Sequence, residues 1–104
     1  MEKHQPTPPY YAVIFTSVKH PDDAGYSEMA QLMEEMVSSQ PGYLGHESAR
    51  DGIGITVSYW ESLEAIAAWR QQSQHRIAQS MGKTSWYERY TVRICRVEKE
   101  YRFP

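Results

Sequence analysis

The chain has 104 residues, 40% of them hydrophobic and 23% charged, the mix of one soluble globular domain with a thin, two-layered core. Eleven Lys and Arg against thirteen Asp and Glu leave a net charge of −2. That excludes the basic surplus with which a nucleic-acid binder neutralises phosphates. A single cysteine, Cys95, excludes an internal disulfide framework and fits a reducing compartment. No apolar run approaches the roughly 20 residues that span a bilayer, and the N-terminus shows no secretory h-region. The expectation is a cytoplasmic protein with neither a nucleic-acid nor a membrane partner.

Residues 1–9 carry three prolines and no apolar pattern, and read as a flexible lead-in to a domain over 10–104. Tyr10 to Lys19 is dense in β-branched and aromatic residues and predicts a strand. Tyr11, Val13 and Phe15 share one face of it, Ala12, Ile14 and Val18 the other. His20-Pro21-Asp22-Asp23 marks a turn. From about Tyr26 to Ser39, Met29, Leu32, Met33, Met36 and Val37 form the stripe of an amphipathic helix, which Gln40-Pro41-Gly42 stops. Tyr43 to Ala49 predicts a weaker strand. Asp51-Gly52 then signals a hairpin to a partner strand ending at Trp60, with Ile53, Ile55, Val57 and Tyr59 on one face and Gly54, Thr56 and Ser58 on the other. Glu61-Ser62 caps a second helix from Leu63 to about Gln72. A separate helical piece follows from about Ser73 to Met81, ended by Gly82, and Tyr87 to Val97 predicts the last strand.

The order β-α-β-β-α-β is that of the ferredoxin-like α+β unit, a four-stranded antiparallel sheet with both helices on one face. The first strand is apolar on both faces, so the uncovered face calls for a partner. The simplest is a second copy of the chain, sheet against sheet. The tail Glu98-Lys99-Glu100-Tyr101-Arg102-Phe103-Pro104 alternates charges and rings, as an arm lying on a partner would.

No Gly-rich phosphate loop, nucleophile elbow, CxxC or HExxH occurs. His20, Asp22 and Asp23 form an ordinary polar turn rather than a metal site, and Cys95 reads as a core or interface thiol. The stretch Ser58 to Arg76 stands out. Trp60 ends a strand, Trp69 lies on the next helix, and His75 turns back beside Trp69 if the helix restarts near Ser73. Arg70 lies close by, and Trp86-Tyr87 returns to the same end of the sheet. Aromatic walls, one imidazole and a cation suit a flat, partly anionic aromatic molecule. The plainer reading makes these rings core and His75 a helix cap. His46, on the second strand, points into the same cleft or into solvent.

The run Val57-Ser58-Tyr59-Trp60-Glu61-Ser62-Leu63-Glu64-Ala65, followed by Ala68-Trp69-Arg70 and His75, resembles the antibiotic biosynthesis monooxygenase family over about residues 10–98. The resemblance implies a dimeric α+β barrel: a homodimer through the sheet face, with a pocket in each subunit between sheet and helices. It implies a monooxygenase or related oxidoreductase acting on a small aromatic or quinol-type molecule, or a non-catalytic small-molecule binder on the same fold. Some relatives degrade haem with an Asn on the first strand, a Trp on the second helix and a His one turn beyond His75. Trp69 matches that Trp, but about Gln79 stands at the place of the His, and the chain contains no Asn. Haem is therefore disfavoured, and no cofactor or metal is expected. A cofactor-free oxygenase needs a base, a holder for the oxyanion and a dry aromatic pocket. On this resemblance His75 is the base, Arg70 and Tyr87 hold the anion, and Trp60, Trp69, Trp86, His46 and Phe15 bind the substrate.

Overall fold

A computed structural model of the chain describes residues 6–79 and 86–104. The elements are β1 (Tyr10–Lys19), α1 (Tyr26–Val37), β2 (Tyr43–Asp51), β3 (Ile53–Trp60), α2 (Leu63–Gln79) and β4 (Tyr87–Val97). The strands form one antiparallel sheet in the order β2-β3-β1-β4, the ferredoxin-like arrangement that the alternation of patterns predicts. Gly52, with φ 81°, turns the chain between β2 and β3, a backbone that side chains with a Cβ resist.

Side chains alternate across the sheet, and the core lies where β1 and β3 meet the helices. Trp60, only 1% exposed, packs with Val37 of α1 and Ile66 of α2, and Tyr11, Val13, Tyr43, Ala65 and Trp69 close around them. The indole N–H of Trp60 donates to Ser58 Oγ at 2.9 Å, so its one polar atom is satisfied inside the core.

One local expectation is corrected. α2 runs unbroken from Leu63 to Gln79 instead of restarting near Ser73. No Pro or Gly interrupts 63–79, and the Ser73 hydroxyl donates to the Arg70 carbonyl at 3.1 Å, satisfied within the helix. Gly82, the expected stop, lies outside the described residues, as do residues 1–5 of the lead-in.

The second sheet face carries Ala12, Ile14, Ile53, Ile55, Val57 and Tyr59 by the same alternation, and Ile53 and Ile55 leave about half of their surface exposed. Cys95, opposite Ala12 on this face, is also exposed. At its edge the Tyr10 hydroxyl donates to the carboxylate of Glu100 in the C-terminal arm, while Tyr101 and Phe103 point away from the fold. No helix among the described residues is long and apolar enough to cross a membrane.

Candidate functional site

Among the described residues the helices cover the β3 side of the sheet and leave the β4 side open. Tyr90, Val92 and Ile94, which lie opposite Ser17, Phe15 and Val13, each expose about half of their surface on the helix-bearing face. A register shift between Val18 and Lys19 sets Tyr87 opposite Lys19 and leaves Glu88 as the extra residue. The bulge allows Tyr87 and Tyr90, three positions apart, to reach the same ring. Phe15 lies 5.3 Å from each of them, centroid to centroid. Tyr26, the first residue of α1, meets Tyr87 edge-on at 5.9 Å, and Lys19 Nζ sits 4.2 Å above the Tyr26 ring. Tyr87 meets Phe15 and Tyr26 edge to face, and Phe15 and Tyr90 are tilted by 33°, so the rings support one another.

Burial first, and then the long 3.5 Å hydrogen bond from Tyr87 to the Tyr26 hydroxyl, push the Tyr87 phenol well above its ordinary range, against a smaller opposing pull from Arg50. At neutral pH Tyr87 is a proton-bearing donor.

Beside this surface lies a tethered cation. Arg50 of β2 reaches across β3, where its opposite number is Gly54, and donates to Ser17 Oγ at 2.8 Å and to the Ser17 carbonyl at 3.5 Å. Its guanidinium occupies the place that a Cβ at Gly54 would take. Ser17, 3% exposed, follows Phe15 by two positions and shares its face.

The structure distributes the sequence-predicted residues over several places. Phe15 and Tyr87 come together in the aromatic surface. Trp60 is core, and Trp69 is half-buried at the core's edge on the inner side of α2. Trp86 is a buried latch: its indole N–H donates to the Ala24 carbonyl at 2.8 Å and its ring meets Tyr26, tying the start of β4 to the turn before α1. His46 shares a face with Ser58; its Nδ1 lies 2.5 Å from the Tyr43 hydroxyl and its Nε2 3.2 Å from Glu34 Oε2. Arg70 and His75 are exposed on α2. In the unbroken helix His75 lies nine positions from Ile66, half a circle round, on the side away from the sheet. Of the turn residues, Asp22 accepts from the Ala24 N–H at 3.4 Å and Asp23 pairs with Lys19 at 3.2 Å.

Sequence reasoning passed over Arg50, Ser17, Tyr26 and Tyr90. One signal was available: counting back across the Gly52 turn sets Arg50 opposite Gly54, a glycine inside an otherwise β-branched strand, where a close approach is expected.

The family model for antibiotic biosynthesis monooxygenases matches residues 9–80. The chain is 51% identical over 100 residues to "Uncharacterized protein YqjZ" of Bacillus subtilis (strain 168), covering 94% of this chain and 88% of that one. Among solved structures it is similar to a MhuD variant with two manganese protoporphyrin IX molecules bound per active site (TM-score 0.68, 16% identity, 89% of this chain and 99% of that chain). Rv0793 from Mycobacterium tuberculosis is similar to the same degree (TM-score 0.68, 14% identity, 88% and 97%). The structural likenesses, at such low identity, speak to the fold. With the family match over residues 9–80 and a relative 51% identical across nearly its whole length, the chain belongs to the antibiotic biosynthesis monooxygenase family.

Proposed function

We propose that the protein is a homodimeric, cytoplasmic, cofactor-independent monooxygenase, or a closely related redox enzyme, acting on a small aromatic or quinol-type molecule. The observation that carries this reading is the open aromatic surface of Phe15, Tyr26, Tyr87 and Tyr90, which sets the Tyr87 hydroxyl among the rings as a proton donor.

An anthrone-type substrate lying on these rings loses a proton from its activated methylene to solvent. The Tyr87 hydroxyl turns its one proton from Tyr26 to the enolate oxygen as the charge develops, which lowers the cost of ionisation. The enolate passes one electron to dioxygen. The substrate radical and superoxide then join through a carbon–oxygen bond and, with one proton, give a hydroperoxide. Loss of water leaves the carbonyl. In balance, the methylene carbon is oxidised by four electrons, and dioxygen is reduced to one carbonyl oxygen and one water.

Haem fits these residues poorly. His75 lies on the outer side of α2, and His46 is engaged by Tyr43 and Glu34. The same placement supports the second reading, a small-molecule binding protein without turnover, because neither imidazole is offered to the aromatic surface as a base. The homodimer rests on the exposed Ile53 and Ile55 of the open sheet face.

Oxygen uptake over a panel of anthrones and naphthohydroquinones tests the reading. Uptake above the spontaneous rate, lowered roughly 100-fold by Tyr87→Phe as for loss of an oxyanion donor, is expected. Binding of panel members without uptake overturns the monooxygenase and leaves the binding protein.

A further inference from the structure

Arg50 is an expensive way to join two strands. Its long side chain spans the whole of β3 to reach a buried serine, and the strand between gives up a side chain at Gly54 to let it pass. The result is a guanidinium laid flat on the helix-bearing face, about 7 Å from Phe15 along the strand direction. Among the described residues it meets no carboxylate within ion-pair distance. Two bonds to Ser17 use part of its five-donor fork, and among the described residues no other acceptor takes the remaining donors, which can serve a ligand. A planar cation beside a floor of rings, with no carboxylate paired to it among the described residues, matches a planar ligand that brings its own negative charge.

From this geometry we infer that Arg50 is a specificity-determining residue of the aromatic site, and that the site takes aromatic acids: a ring system bearing a carboxylate, or an equally acidic oxyanion, at one edge. The inference rests on the aromatic surface proposed above and adds the charge of its ligand. The rings on Phe15, Tyr87 and Tyr90 hold the ligand's flat body. The tethered guanidinium holds its anionic edge at the Ser17 end and so decides which way round the ligand lies.

The test uses two probes of one shape, 2-naphthoate and naphthalene-2-carboxamide, titrated calorimetrically into the full chain at neutral pH. The expected result is naphthoate binding about tenfold or more tighter than the carboxamide, the discrimination a single charge-assisted hydrogen bond supplies. Arg50→Gln should bring the two affinities within about twofold, chiefly by weakening the naphthoate. Gly54→Ala is the second variant. Its Cβ lifts the guanidinium without removing it, and should cut the preference severalfold in a chain that still folds. Equal binding of both probes by the native chain overturns the inference and leaves the aromatic surface standing. So does a naphthoate preference that survives in folded Arg50→Gln, which would make Arg50 a strand tie only. Failure of both probes to bind overturns the aromatic site itself, and this inference with it.

Discussion

The hydroxyl of Tyr10, the first residue of β1, donates to the carboxylate of Glu100, 90 positions later in the chain, so the C-terminal arm is fastened to the strand on which the sheet begins. The carboxylate's acceptance of that proton is the larger cause, and burial the next, of a Tyr10 pKa pushed up to about 12 from its ordinary 10. The folded state therefore holds this proton more tightly than the unfolded chain. The stabilisation is complete below pH 10 and is lost as pH rises through about 12. Urea unfolding across this window should show the native chain converging on Tyr10→Phe, which lacks the bond at every pH. A constant gap between them would sink the assignment.

Trp60 is core rather than pocket wall. Trp60→Ala should cost about 3–5 kcal/mol, the range for a buried aromatic replaced by a methyl, and bring the chain near the limit of folding. Trp60→Phe should cost less and leave probe affinity unchanged, because the indole packs in the core with its ring against Tyr43, which is not part of the aromatic surface. Denaturant melts alongside titration separate the two effects, and a weakened affinity in a folded Trp60→Phe chain would return Trp60 to the site.

For His75 the unbroken helix reverses the sequence expectation. On the outer side of α2, His75→Ala should change stability by no more than about 0.5 kcal/mol and leave oxygen uptake at the native rate. Uptake lost in the folded variant would show that the imidazole acts on the substrate after all.

The open sheet face gives the fourth expectation. Ile55→Asp sets a charge in the middle of the surface proposed to meet a second copy, and burying an unpaired carboxylate there is costly. Sedimentation should find a dimer for the native chain and a monomer for the variant. A native monomer would remove the dimer from the reading.

Much of the fold was legible in the chain itself because its signals are local. Period-two runs such as Ile53, Ile55, Val57 and Tyr59, the helical stripe from Met29 to Val37 and the Asp51-Gly52 turn each depend on a few neighbouring residues, and each lies where its pattern places it. Even the end of β3 at Trp60 and the start of α2 at Leu63 follow from short-range chemistry, with Ser62 Oγ accepting from the Ala65 N–H at 3.0 Å.

The site was legible only in part. Phe15 and Tyr87 could be chosen by residue type, but which tryptophans are wall and which are core depends on how the helices lie across the sheet. That packing put Trp60 inside and made Trp86 a latch. The unbroken α2 turned His75 outward, the β4 bulge brought Tyr87 and Tyr90 onto one ring, and the missing side chain of Gly54 let Arg50 cross to Ser17. Propensity and period are properties of neighbours in sequence and can be read from the chain. The side a residue faces, and what it touches there, depends on contacts between distant segments, which only the tertiary structure supplies.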